Sequence, residues 1–194
     1  MTLHGLRPVA LLLLWLACIP AGLADAWHQF GQQDAYWHHG SGWIFPRRIG
    51  EFELVRTPYQ IDGNDDVGAQ YEMVVNGMPR TAEVVIYYPN SAAIGARLDT
   101  ARAAMQSSSA NGKPISPKRQ GKFAIERRLE IVGVRTIYSS QDVQRGLYFF
   151  QTPNWVVTIR TQTQAADIDA TKALNAFVQE QRWDTLGTDA GRYR

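Results

Sequence analysis

The dipeptide Asn76-Gly77 constrains this chain more than any other feature of its sequence. It separates two runs of alternating apolar residues, and both of its residues accept the positive φ that a tight type I′ turn demands. Residues 69–75 put Tyr71, Met73 and Val75 on one face, and residues 81–88 (TAEVVIYY) form the return strand, ended by Pro89. An antiparallel hairpin is therefore the nucleus around which the rest must be arranged. Upstream, residues 51–59 (EFELVRTPY) read as one further strand with Phe52 and Leu54 inward. Residues 62–68 (DGNDDVG) read as a turn cluster.

After the hairpin the period changes. Ser91 is a plausible cap for a helix over 92–106, where Ile94, Leu98, Ala101 and Met105 make one stripe. Residues 107–121 (SSSANGKPISPKRQG) read as a long polar loop. Strands are then expected over 123–132, 134–139 (after a break at Gly133), 146–152 and 155–163. In the last of these, Trp155, Val157 and Ile159 face one way, and Val156, Thr158 and Arg160 the other. A closing helix over 166–182 turns Ile168, Leu174, Phe177 and Val178 inward. The expected order is βββ-α-ββββ-α. This is an α+β fold with a mostly antiparallel sheet and two helices packed on it. It forms a single domain over 46–186, followed by a tail over 187–194.

The start of the chain reads as an address. Residues 1–26 have the parts of a secretory signal: Arg7 near the amino terminus, the apolar run VALLLLWLACI, Pro20 and Gly22, and an A-x-A site at Ala24-Asp25-Ala26. The apolar run of about 11 residues falls short of the roughly 20 that a membrane span needs. Cleavage near Ala26 places the mature protein in the periplasm or outside the cell. Cys18 follows Trp15-Leu16-Ala17, a poor match to a lipoprotein signal, so lipid attachment there is not expected. Residues 27–45 hold six aromatic residues and three histidines without a clean period. They read as an arm that packs on the domain, and deleting residues 27–42 should leave cooperative folding intact.

The run FPRRIGEFELV (45–55), then AQYEM and AEVVIYYP (82–89), resembles the opening of a group of secreted bacterial proteins of uncharacterised role. The late NWVVTIRTQ, followed by a helix with Phe177 and by Trp183, is similar to the end of the PsbP-like α+β fold. The resemblance implies a fold and a binding or accessory role, and it brings no catalytic residue with it.

What is missing narrows the chemistry. All four histidines lie at or before position 39, and the one cysteine is Cys18. The domain thus has no imidazole or thiol for a catalytic triad and no set of ligands for a zinc site. No phosphate-binding glycine loop occurs, and no cofactor is expected. The acids Glu51, Glu53, Glu72, Glu83, Glu126, Glu130 and Asp142 sit among strands and turns and read mostly as a solvated face. Asp62, Asn64 and Asp66 begin like a calcium loop, but Val67 and Met73 stand where glycine and glutamate are needed. His28, His38 and His39 are the best metal ligands available, but the arm offers them no rigid scaffold, so no metal is expected.

Charge is uneven. The whole chain carries a net +2, while residues 113–145 hold eight basic and three acidic side chains. Lys113, Lys118, Arg119, Lys122, Arg127 and Arg128 are the expected contact residues, facing a protein, a small ligand of the cell envelope, or an anionic membrane surface. Edge-strand protection is the alternative use of the same charges. An exported chain with few aromatics among these bases is not expected to bind nucleic acid. The sequence points to an exported, non-catalytic binding or accessory domain. A carboxylate-based enzyme and a structural subunit of an envelope complex are the alternatives. A ligand module should show an apolar groove between sheet and helices, rimmed by Arg or Tyr.

Overall fold

The computed structural model describes residues 27–29, 35–61, 66–88, 91–107, 115–165, 167 and 169–187. The signal segment, Lys113, Ile168 and most of the calcium-like turn lie outside them. Among the described residues no helix is long and apolar enough to cross a membrane.

The Asn76-Gly77 turn is present, with φ of 52° and 76°. It joins β7 (Asp66–Val75) to β8 (Met78–Tyr87) in continuous register from Val75↔Met78 to Val67↔Ile86. After α1 (Ser91–Gln106) come four strands: β9 (Pro117–Ile125), β10 (Arg128–Ser139), β11 (Val143–Gln151) and β12 (Val156–Gln164). Then α2 (Ala170–Gln179) closes the fold. The meander turns back so that β12 lies beside β8, and every pairing is antiparallel. The main sheet runs β4-β5-β7-β8-β12-β11-β10-β9, and β6 also pairs with β7.

The class is α+β, but among the described residues eight strands, not three, precede α1. The expected strand over 51–59 is two short ones, β5 (Phe52–Leu54) and β6 (Tyr59–Ile61), which pair with successive stretches of β7. Between them Pro58 has no N–H to donate, and 55–57 stay exposed. The arm over 27–45, which showed no clean period, contributes β1 (Trp27–Gln29), β2 (Ala35–His38) and β3 (Ile44–Pro46), which form a small separate sheet. The two-residue β4 (Arg48–Ile49) links it to the main sheet. Trp43 and Phe45 are fully buried in the main core.

The expected break at Gly133 falls inside β10, and the turn is at 126–127 instead. Gly133 is needed for close approach: a Cβ there would lie 2.3 Å from the Phe149 carbonyl oxygen and 2.5 Å from the Phe150 ring. The expected loop over 107–121 ends early, because residues from Pro117 onward belong to edge strand β9, whose residues 117–122 are exposed on both faces and therefore without alternation.

The helices sit on opposite faces. Leu147 packs with Ala101 and Met105 of α1, while its neighbour Tyr148 joins the core under α2, and adjacent strand residues point opposite ways. The α2 face is a large aromatic core. Phe177 meets Phe52 and Tyr71 at ring separations of 4.8 and 5.2 Å, and Trp183 meets Phe150 and Trp43 at 4.6 and 5.1 Å. At its margin Arg80 donates two hydrogen bonds to Asp167, at 2.6 and 2.7 Å, with both side chains buried. Thr163 donates a third at 3.1 Å. Arg80 holds the Asp167 carboxyl below the usual carboxylate range.

Candidate functional site

On the α1 face the sheet is unusually polar. Cross-strand partners share a face, so the register defines two rows. One runs Glu53–Glu72–Thr81–Gln162–Arg145 across β5, β7, β8, β12 and β11. The next runs Gln70–Glu83–Arg160–Leu147. Helix α1 crosses this face only in part. Its amino-terminal half is tied to the sheet by Arg97, which pairs with the buried Asp66 and lies over the Tyr87 ring at 4.5 Å. Asp66 also accepts the Tyr88 N–H at 3.0 Å. It is thus part of the helix clamp instead of a calcium loop.

At the carboxyl end of α1 a groove of about 400 Å³ remains open between Ala104, Met105 and Ser107 and the two polar rows. This lies within the range of small-molecule sites. Arg145 forms one end. Its Nε donates to Gln162 Oε1 at 2.9 Å, and its Nη1 donates to the carbonyls of Met105 and Ser107 at 3.1 and 2.9 Å. A guanidinium here satisfies carbonyls that a helix end leaves open and complements the helix dipole. In the middle, Glu83 accepts from Tyr59 Oη and pairs with Arg160. Arg160 Nε is buried without a hydrogen-bond partner among the described residues. The Tyr59 ring lies flat on Gly68, where a Cβ would approach Cζ to 2.7 Å, and Arg56 covers it at 4.2 Å. Burial first, and the Glu83 contact second, push the Tyr59 hydroxyl up to about 12.

Glu72 forms the other end. It stands directly opposite Glu53, an unfavourable like-charge pair. Arg48 neutralises Glu53, but Glu72 has no hydrogen-bond partner among the described residues. Among the described residues the groove lining contains Glu72, Glu83, Arg145 and Arg160 but no histidine, cysteine or lysine. A larger groove of about 700 Å³ lies between α2 and β9, but its amides are committed to packing. Asn175 accepts from Tyr148 and Arg135, and Gln179 bridges the Ala124 carbonyl and the Glu126 N–H.

The basic residues singled out from the sequence do not form one patch. Lys118, Arg119 and Lys122 are exposed on edge strand β9. Lys122 pairs in register with Val134 on the α1 face, whereas Arg119 pairs with Ile137 on the α2 face. Arg127 is exposed in the 126–127 turn, and Arg128 pairs with Glu130 and donates to the Trp183 carbonyl at 3.2 Å.

The histidines are also placed apart. His28 pairs in register with Trp37. His38 is buried in the β2–β3 turn, where its Nδ1 accepts the Ser41 N–H at 3.2 Å and lies 2.8 Å from Ser41 Oγ. His39 is exposed, with its ring 4.4 Å from that of Trp37. Among the described residues no three His, Cys, Asp or Glu side chains converge as metal ligands.

Sequence reasoning assigned Arg160 to the correct face and counted Arg145 among the bases, but it missed the groove and treated Glu83 as solvated. The available signal was the concentration of Gln, Glu, Thr and Arg on one face of strands whose other face is mostly apolar. Among known proteins, no family model matches the chain, and neither a curated protein nor a solved structure does.

Proposed function

We propose that this chain is an exported, non-catalytic binding domain of the cell envelope, with its ligand site in the groove beside the end of α1. The supporting observation is the double polar row beneath a helix that covers it incompletely. Partly buried ion pairs such as Glu83–Arg160 are weak contributors to stability, so a sheet built only to fold has little use for them. The lining offers positioned donors and acceptors and, among the described residues, neither an imidazole nor a thiol, which favours holding a ligand over transforming it. The PsbP-like resemblance of the sequence agrees with such an accessory role.

The test is saturation-transfer NMR on the exported protein with a panel of amino acids, short peptides and mono- and disaccharides, repeated on Gln162→Trp. A β-compatible indole at this exposed position fills the groove without entering the core. At least one panel class should bind the natural protein and lose its signal in the variant. Equal signals in both proteins, or no binding at all, would refute the groove as the site.

A second surface favours contact with an anionic membrane. Leu129, Val132 and Val134 are exposed on β10. Val134 adjoins Lys122, and Val132 adjoins Ala124, on edge strand β9. Apolar side chains bordered by lysines suit the interface of an anionic bilayer.

A further inference from the structure

We infer that the groove takes a short zwitterionic peptide, with its free ammonium at Glu72 and its free carboxylate at Arg145. This rests on the groove being the ligand site.

Besides the buried Nε of Arg160, two charges on the lining keep unused capacity. Glu83 and Arg160 are paired with each other, and Glu83 also takes the Tyr59 hydroxyl. Glu72 has no partner among the described residues. Arg145 spends Nε and Nη1 on Gln162 and the helix end, which leaves Nη2 without a hydrogen-bond partner among the described residues. These two groups end one cross-strand row, with Thr81 and Gln162 between them. Three inter-strand steps separate their backbones by about 14 Å. Two side chains leaning inward shorten the gap, and an extended chain of about three residues, at about 3.3–3.6 Å each, spans what is left. Thr81 and Gln162 each offer both a donor and an acceptor, as a peptide backbone requires.

The same lining disfavours other ligands. Among the described residues, two glutamates and two arginines leave it neutral, which is unfavourable for a phosphate or a polyamine. Among the same residues no aromatic ring forms a stacking wall for a sugar or a base: Tyr71 borders the groove, but its side chain is buried against Phe177 on the opposite face. Val55 and Ala104 provide small apolar walls suited to short side chains.

The experiment is titration calorimetry of the exported protein with trialanine, its N-acetylated form and its C-amidated form, on the natural protein and on Glu72→Gln. Removing one of two opposed glutamates does not threaten the fold. Each blocking group should weaken binding to the natural protein at least tenfold. In Glu72→Gln the N-acetyl penalty should vanish while the C-amide penalty persists, and both penalties should be lost with the groove filled by Gln162→Trp. Blocked peptides that bind as tightly as free ones, while still shifting the amide resonances of Thr81 and Gln162, would overturn the ligand class and leave the groove as a site. No binding of trialanine, or binding unaffected by Gln162→Trp, would also overturn the inference, and the wider panel would then decide the groove separately.

Discussion

On the α2 face, β7, β8, β11 and β12 present Ala69, Tyr71, Ala82, Val84, Ile86, Tyr148, Phe150, Val157 and Ile159, all buried in one core. On the α1 face the same strands present Gln70, Glu72, Thr81, Glu83, Arg160, Gln162 and Arg145, with a small apolar cluster under the helix around Leu147 and Met105. The strands and backbone hydrogen bonds are common to both faces, so the contrast lies in side chains alone. Apolar burial at about 25 cal/mol per Å² makes the first face the source of stability. The second face gives up much of that gain for charged groups that must be matched pair by pair. The two faces thus divide the labour, one holding the fold and the other presenting chemistry.

The largest test of that division compares truncations on the two sides. Phe177→Ala removes a fully buried ring and should cost about 3–5 kcal/mol in urea unfolding. Leu98→Ala, half-buried on α1, should cost about 1 kcal/mol. Equal losses would mean that both faces support the fold alike.

The Arg80–Asp167 clamp sharpens the contrast, because it is a charged pair that serves the stable face. Asp167→Asn leaves a buried guanidinium unpaired and should cost about 3–5 kcal/mol. The sign with pH follows from the lowered folded pKa of Asp167, caused first by the Arg80 hydrogen bonds. The stabilisation is complete above the unfolded value of about 3.9 and is lost as pH falls through the lower folded value. Unfolding curves below about pH 4 should therefore show the natural protein losing stability faster than Asp167→Asn.

Smaller effects belong to the polar rows. Glu83→Gln should cost about 1–2 kcal/mol, since it weakens contacts to both Tyr59 and Arg160. Replacing all three (Tyr59→Phe, Glu83→Leu, Arg160→Leu) should bring stability back to within about 1 kcal/mol of the natural protein, while ligand binding is lost. A triple variant as unstable as the single one would make the rows structural. Tyr59 adds an alkaline signature. Its folded pKa of about 12 lies above the ordinary 10, so its stabilising contribution is present below pH 10 and fades as pH rises toward 12.

How much of this was legible follows from the range of the signals. The hairpin, the alternation of β12 and the inward set Leu174, Phe177 and Val178 are local patterns, and each stands in the structure. The first part of edge strand β9, residues 117–121, was read as loop because exposure on both faces erases the period-two signal there. Trp43 and Phe45 were read as arm residues because their three short strands are too brief to show a period, yet both are fully buried. The groove was hidden for a different reason. Glu72, Thr81, Gln162 and Arg145 become neighbours only through the β7–β8–β12–β11 register, and pairing between distant strands is not written in any single strand.

The smallest expected change in stability concerns the outermost strands, where the α1 face ends at β9 and β10. Reversing Lys118, Arg119 and Lys122 together should alter unfolding by less than about 0.5 kcal/mol, since all three side chains are exposed. Retention on anionic vesicles should nevertheless fall. Register places Lys122 on the face that carries Val132 and Val134, and Arg119 on the opposite one, while Lys118 is the unpaired residue of a bulge. A flat bilayer meets one face at a time, so Lys122→Glu should account for more of the loss than Arg119→Glu. A lysine near an anionic surface is worth about 1 kcal/mol, which puts the loss from neutralising Lys122 on the order of fivefold at low salt, and charge reversal should exceed it. The effect should shrink as the screening length drops from about 10 Å at 0.1 M salt to about 3 Å at 1 M. Vesicle sedimentation across that salt range is the measurement. Equal losses from Arg119→Glu and from Lys122→Glu would mean that neither face of the edge is selected. Retention unchanged by any reversal would leave these charges with the protective role common on exposed strands.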